Sequence, residues 1–226
     1  MSDGENKPVI AVLGGSGDLG GGLALRWAVA GYPVIIGSRT QEKADAAAAS
    51  LNERDDLAEA VRGMANEDAA QAGEVVVMTV PFANHQSTLE AIRDAVQGKI
   101  FIDVTVPLVP PKVGTVQLPE GGSASARAQA YLGEEVRVVS AYQNVAAAHL
   151  NDLSHDPECD VLICGNDKDA CAAVVVLTEA AGMKGWHAGP IANAVVAEAM
   201  TSVLITLNRR YKIPGSGFRI TGTPGV

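Results

Sequence analysis

Gly15, Ser16, Gly17, Asp18, Leu19 and Gly20 follow a continuous apolar run and precede a helix-like segment. Glycines at this spacing suit one kind of chemistry. The first permits a tight turn, the second lets the main chain approach a pyrophosphate, and the third lets the helix pack on the strand. The free N–H groups and dipole at the helix start then favour phosphates. Glycine-rich turns are common in α/β proteins, so position decides: between a buried strand and a helix, the run reads as a dinucleotide site. The side chains of Ser16 and Asp18 either add to that site or simply form the turn.

About 20 residues after such a turn, an NAD-reading protein carries an acidic residue for the ribose 2′-hydroxyl. Here the next strand ends in Gly37-Ser38-Arg39-Thr40, with Lys43 one helical turn on and no carboxylate among them. An arginine, a hydroxyl and a lysine suit a 2′-phosphate, which an acidic residue would repel. The pattern therefore predicts NADP over NAD, although Ser38 or Thr40 would also serve as an ordinary helix cap. A third signal is Met78-Thr79-Val80-Pro81-Phe82, a strand end opening into a loop on the same sheet edge. Val80, Pro81 and Phe82 are placed to wall the cofactor, since ligands of open α/β sheets lie beyond the carboxyl ends of the strands. Pro81 would also simply end the strand.

Other catalytic patterns are missing from the sequence. It has no Ser-His-Asp arrangement, no H-E-x-x-H and no paired carboxylates at suggestive spacing. His85, His149, His155 and His187 are scattered without ligand spacing, and no metal site is expected. Cys159, Cys164 and Cys171 are odd in number and lack C-x-x-C spacing, so they read as half-buried thiols in a reducing cytoplasm.

Positioning these groups takes an alternation of strand and helix. Strands are expected at 8–13, 33–36, 62–64, 75–80, 99–104, 136–142 and 160–164. Helices are expected at 19–30, 41–51, 67–72, 86–96, 168–182 and from Gly189-Pro190 to about Arg210. This rhythm predicts a Rossmann-type α/β fold, a doubly wound parallel sheet with a small C-terminal helical extension. Residues 1–150 are read as the NADP-binding domain, and 151–226 as a smaller domain completing the substrate cleft. Residues 105–122 have no period and read as a long functional loop. Met1 to Lys7 are polar and read as a short frayed tail. The last helix is apolar at Ile191, Val195, Val196, Ala199, Met200, Val203, Leu204 and Leu207, a stripe wide enough for core or for a homodimer contact.

Composition narrows the function classes. With 226 residues, 47% hydrophobic, the chain can build one sizeable core. Aromatics are 4% against 24 glycines, which suits close α/β layers and not a surface built on base stacking. A net charge of −9 argues against nucleic acid or an anionic membrane as partner. No run of about 18 uninterrupted apolar residues is present to span a bilayer.

The chain resembles the NADPH-dependent coenzyme F-420 (F420) reductases, also called NADP oxidoreductases of reduced F420. The resemblance is carried by Val12-Leu13-Gly14-Gly15-Ser16-Gly17-Asp18-Leu19-Gly20, Gly37-Ser38-Arg39, Gln41-Glu42-Lys43-Ala44, and Gly63-Met64 with Asn66-Glu67-Asp68-Ala69-Ala70. It continues through Thr79-Val80-Pro81-Phe82, Val139-Ser140-Ala141, Cys164-Gly165-Asn166-Asp167 and Gly189-Pro190-Ile191, nearly the whole chain. It implies hydride transfer between NADP(H) and a deazaflavin bearing a phosphate and a glutamate tail. It further implies an NADP site at Ser38, Arg39 and Lys43 and a deazaflavin site beside the C-terminal helices. The sequence departs from the pattern at Gln143-Asn144-Val145-Ala146, where archaeal members carry His-Thr-x-Pro, and in 106–122.

Hydride transfer between two rings needs orientation and dryness more than a nucleophile. The expected positioning residues are Pro81, Val106, Pro107, Gln143, Asn144 and Val145, with main-chain N–H groups near Ala146 and Ala147 on the nicotinamide carboxamide. Lys112, Arg127, Arg209, Arg210, Lys212 and Arg219 are candidate cations for an anionic tail, or else surface charges. Two other readings stay open: an NADPH-dependent reductase of ordinary flavins (FMN, FAD or riboflavin), and a non-catalytic NADP(H)-sensing module.

Overall fold

The computed structural model describes residues 7–154 and 156–222. The tail expected before Lys7 and His155 lie outside them. Sixteen regular elements follow in the order β1 (Ile10–Leu13), α1 (Asp18–Val29), β2 (Val34–Ser38), α2 (Gln41–Asn52), β3 (Arg62–Ala65), α3 (Asn66–Ala72), β4 (Val75–Met78), α4 (His85–Ile92), β5 (Ile100–Asp103), α5 (Ala124–Leu132), β6 (Arg137–Ser140), α6 (Ala147–Leu150), β7 (Asp160–Gly165), α7 (Lys168–Ala180), β8 (Lys184–His187) and α8 (Ala194–Tyr211). The strands form one sheet in the order β3-β2-β1-β4-β5-β6-β7-β8. The expected Rossmann-type α/β fold is what the chain adopts.

The central strands explain themselves. Every residue of β1, β2 and β4 is buried. Strands covered on both faces read as unbroken apolar runs. One core lies under α1 and α7, around Leu23, Trp27, Tyr142 and Leu177. The other lies under α3, α4 and α5, around Ala69, Leu89, Ile92 and Leu132. Chain order reverses between β1 and β4, the switch point where such sheets open a crevice at their carboxyl ends.

The last third departs from the expected pattern. β7 pairs antiparallel with β6, through Val139↔Gly165 and Ser140↔Cys164, so the sheet is mostly and not wholly parallel. An apolar run fixes burial but not strand direction. β8 was not anticipated: Lys-Gly-Trp-His has no apolar alternation and lies at the sheet edge, with both ends exposed. α5 was also missed, although Ser123 caps it by accepting from Ala126 N. The strand expected at 136–142 ends at Ser140, and Tyr142 takes a left-handed φ of 70° that turns the chain out of the sheet. The helix expected at 86–96 ends at Ile92.

Residues 105–122 contain neither helix nor strand, as expected, and lean on α8 where Thr206 Oγ1 donates to Gly114 O at 2.8 Å. The segment Ile191–Tyr211 is long and apolar enough to cross a membrane by length and composition. Several of its polar groups turn inward, toward the protein. Glu198, 1% exposed, accepts from Ala124 N and Ser125 N, and Thr201 Oγ1 donates to Gln143 O. The helix therefore packs on the sheet layer. Arg26 of α1 donates to Leu150 O, His149 O and Asp152 O at 2.9 Å each, which seats α6 against the glycine-turn helix.

Candidate cofactor cleft and ring site

The glycine turn leaves β1 through Gly14, at φ 76°, and closes with Gly17 N donating to Gly14 O at 3.0 Å. The left-handed residue is thus one position earlier than the motif suggests. Gly17 caps α1 without any side-chain bond, so the first N–H groups of a 12-residue helix point outward with no side chain upon them. Gly20 lets α1 lie on the turn: a β-carbon there would meet Thr79 Oγ1, and Gly15 Cα at 2.9 Å.

A cleft of about 400 Å³ runs along this turn, lined by Gly14, Ser16, Gly17, Asp18, Leu19, Gly20, Ser38, Arg39, Asn66, Thr79, Val80, Pro81, Asn84 and Thr88. A hollow of about 380 Å³ continues from it, sharing Ser38, Arg39, Asn66, Asn84 and Thr88. Ser16 Oγ lies 3.2 Å from Ser38 Oγ and joins the turn to the end of β2. Arg39 is exposed beside them, and Thr40 caps α2 by accepting from Lys43 N. The side chain of Lys43 stands on the exposed face of α2, and Lys43 does not line either hollow. Gly15 lies beneath, donating to Val12 O and Gly37 O. Phe82 begins a short turn and packs on His85 outside the cleft, with the Arg127 guanidinium 5.9 Å above its ring. Besides Gly14, four lining residues were not among the expected cofactor contacts. Asn66 Oδ1 accepts from Gly14 N at 3.4 Å and Thr79 Oγ1 donates to Leu13 O at 2.9 Å, while Asn84 and Thr88 come from the start of α4. Their signal was position: each follows a strand that ends at the cleft.

The second group of expected residues lies beyond β5 and β6, on the same edge. Gln143 and Asn144 are buried rather than lining an open pocket, at 4% and 3% exposure. Gln143 Nε2 donates to Asp103 O at 2.9 Å and Ser140 Oγ at 2.8 Å, and Asn144 Nδ2 donates to Asp160 O at 2.8 Å. With both NH₂ groups committed, Gln143 Oε1 and Asn144 Oδ1 remain as buried acceptors without a partner, as does Thr105 Oγ1. Buried polar atoms are paired in the great majority of cases, so such a set marks a place where a ligand donor or a water fits. Val106 and Pro107 follow Thr105 directly, half-buried and buried. Val145 and Ala146 line a separate cavity of about 210 Å³ roofed by Gly215, Ser216 and Gly217, and Ala147 begins α6.

The cations expected to hold a tail are spread out. Lys112 and Arg209 belong to segments in contact at Gly114, Arg127 sits over Phe82, and Arg210 and Lys212 are exposed at the end of α8. Arg219 is committed to Glu158, at 3.1 Å. Burial pushes the thiols of Cys159, Cys164 and Cys171 up to about 11, which keeps them protonated and unreactive.

Residues 9–107 match the family model described as NADP oxidoreductase, coenzyme F420-dependent. The F420-dependent NADP reductase of Methanothermobacter thermautotrophicus is 43% identical over 224 residues, 95% of each chain. This identity, carried across both the glycine turn and the C-terminal helix, decides the matter. The chain belongs to the F420-dependent NADP oxidoreductase family. The F420-dependent NADP reductase of Methanocaldococcus jannaschii is 39% identical, covering 94% of this chain and 97% of its own. Among solved structures, the putative F420-dependent NADP reductase of Arthrobacter superposes with a TM-score of 0.76 at 28% identity, covering 94% of this chain and 99% of that one.

One further group belongs to the scaffold of this F420-dependent oxidoreductase family member. Glu198 on α8 accepts from Ala124 N, Ser125 N and Ser125 Oγ at 2.7, 3.1 and 3.0 Å, tying α8 to the start of α5. Burial raises its carboxyl to about 7 against these bonds, with the Asp103 charge adding to the rise. Because the folded value lies above the ordinary 4.5, the native state holds an extra proton between them. Stability from this group is complete below the lower value and is lost as pH rises through the higher one. Glu198→Gln should flatten that decline, which amounts to roughly 3 kcal/mol at most for a shift of this size. Melting curves from pH 4 to 8 check it: parallel curves for the two proteins would put the titrating group elsewhere.

Proposed function

We propose that the chain transfers a hydride between NADP(H) and coenzyme F420. The observation that carries the reading is the identity to F420-dependent NADP reductases along 95% of the chain, together with a cleft in which β2 ends in Ser38 followed by Arg39, the Glu67 and Asp68 carboxylates of the adjoining hollow coming from α3. The NADP pyrophosphate lies on Gly15–Gly20 and the N–H groups of α1. Its 2′-phosphate meets Ser38 and Arg39, with Lys43 adding charge at longer range from the α2 surface. Val80 and Pro81 would wall the nicotinamide, directing it toward the ends of β5 and β6, and the Ala147 N–H at the start of α6 would be the nearest main-chain donor to its carboxamide.

The two coenzymes supply the redox chemistry when bound: the C4 hydride of the reduced nicotinamide passes to the deazaflavin ring, which also takes up one proton. The protein binds, orients and excludes water. Pro81, Val106 and Pro107 present surfaces without ionisable groups, and Gln143 and Asn144 offer acceptors already oriented by their own NH₂ bonds. Face-to-face placement at about 3–3.5 Å accounts for much of the rate. The anionic tail of F420 is met by local cations, Lys112 and Arg209 foremost, because the net charge of −9 gives no general attraction.

The chain works as a homodimer. Val196, Val203, Tyr211 and Ile213 are 52, 43, 64 and 40% exposed on and just after α8, an apolar surface that a second copy of the helix would cover. Sedimentation at micromolar concentration should give twice the chain mass, and a monomer there removes this part of the reading. Small molecules are its partners, without nucleic acid or membrane, and the three free thiols suit a reducing cytoplasm. Mixing the protein with NADPH and F420, and separately with FMN, tests the function. Rapid oxidation of NADPH with the deazaflavin alone is the expected result. Turnover of FMN alone would make the protein a flavin reductase, and binding without turnover a sensor.

A further inference from the structure

Asp103 closes β5 and is fully buried, beside the place proposed for the two rings, yet it touches nothing that the reaction needs directly. Its bonds are what distinguish it. Oδ2 lies 2.8 Å from His85 Nε2, and His85 is the first residue of α4, four positions after Pro81. Oδ1 accepts from Thr105 N at 3.0 Å, the residue just before Val106 and Pro107. The main-chain carbonyl accepts from Gln143 Nε2 at 2.9 Å and from Ala141 N at 3.3 Å. Three separate segments of the ring site therefore converge on one residue: the wall after β4, the start of the 105–122 loop and the turn after β6. Three buried polar atoms without partners, His85 Nδ1, Thr105 Oγ1 and Gln143 Oε1, belong to residues held this way.

Both carboxylate oxygens receive donors, so Asp103 acts as an acceptor and His85 Nε2 carries the hydrogen between them. The arrangement has no slack. His85 and Asp103 are 1% and 0% exposed, and the Glu198 carboxylate, close enough to feel the Asp103 charge, holds α5 to α8. We infer that Asp103 is a positioning residue for hydride transfer, setting through His85, Thr105 and Gln143 the separation of the surfaces that press the two rings together. The inference rests on the ring placement under the proposed function. Misplacement of reacting rings by about 1 Å costs on the order of a hundredfold in rate, and sites hold such precision only when their supporting side chains are themselves fixed.

Asp103→Asn tests it, because the amide has the size of the carboxylate but cannot accept from both His85 and Thr105. Three measurements on the whole protein are compared: NADPH affinity, turnover with F420 using NADPH deuterated at C4, and the ¹⁵N resonances of the His85 ring. The expected result is NADPH affinity within about twofold of wild type, kcat down at least about tenfold with an altered deuterium isotope effect, and a His85 ring no longer held as the Nε2–H tautomer. His85→Gln, which keeps a donor toward Asp103, should recover most of kcat, while His85→Leu should behave as Asp103→Asn. If the His85 tautomer changes and kcat with its isotope effect does not, the rings lie elsewhere and the inference falls with their placement. If the tautomer is unaltered, the convergence on Asp103 is itself wrong. Equal loss of melting temperature, NADPH affinity and kcat in all three variants would reduce Asp103 to a fold-stabilising residue and overturn its positioning role.

Discussion

Gly20→Ala should abolish NADPH binding and destabilise the fold, whereas Gly17→Ala should abolish binding alone. The two glycines do different work in the same turn. A β-carbon at Gly20 would strike Thr79 Oγ1, which is pinned by its bond to Leu13 O, and would lie 2.9 Å from Gly15 Cα and 3.0 Å from Gly14 O. Two of the three obstacles are backbone, so α1 must lift from the sheet, taking the phosphate-facing N–H groups with it. Loss of two charge-assisted bonds of about 1.5–3 kcal/mol each corresponds to at least about a hundredfold in affinity. At Gly17 a β-carbon meets only Gly14 O, at 3.4 Å, an ordinary contact, so the folded chain accepts it. What it obstructs is the pyrophosphate itself. Thermal melts with a fluorescence titration of NADPH separate the two variants. A Gly17→Ala protein that binds NADPH normally would mean that the dinucleotide does not cross the turn at this point.

Arg39→Ala should cost NADPH about tenfold to a hundredfold in affinity and leave NADH nearly unchanged. A charge-assisted bond to phosphate contributes about 1.5–3 kcal/mol, and the exposure of Arg39 draws the effect toward the lower figure. Ser38→Ala should act in the same direction by less, because its hydroxyl also meets Ser16 Oγ. Combined with Lys43→Ala the loss should grow only slightly, since Lys43 does not line the cleft. Equal loss for NADPH and NADH on removing Arg39 would show that the guanidinium holds some other part of the cofactor.

Much of the glycine-turn cleft was legible in the sequence because its signals are local. A buried apolar strand, three glycines and a carboxylate-free strand end lie within about thirty residues, and each has a direct physical meaning. The buried polar set beyond β5 and β6 was legible only as a place. Gln143 and Asn144 were singled out, but that their NH₂ groups would be used up on Asp103, Ser140 and Asp160 depends on how β5, β6 and β7 are set side by side. Glu198 lies 74 positions from Ala124, and no periodicity of α8 betrays that its one acidic side chain points inward at the start of α5. The His85–Asp103 pair was hidden for the same reason. A single histidine before a helix is usually structural, and only the parallel pairing of β4 with β5, which sets Asp103 beside Met78, brings the two together. β8 escaped because a short polar edge strand carries no apolar pattern to read.

In the proposed mechanism NADP and the deazaflavin meet at the carboxyl edge of β4, β5 and β6. Single-turnover mixing of the NADPH-loaded protein with F420, followed through the deazaflavin's own absorbance, tests it most directly. The account predicts stoichiometric transfer of the label from C4-deuterated NADPH into the deazaflavin ring, and slower transfer in Asp103→Asn with NADPH still bound. Oxidation of NADPH with the label lost to water, or transfer unaffected by that substitution, would contradict it.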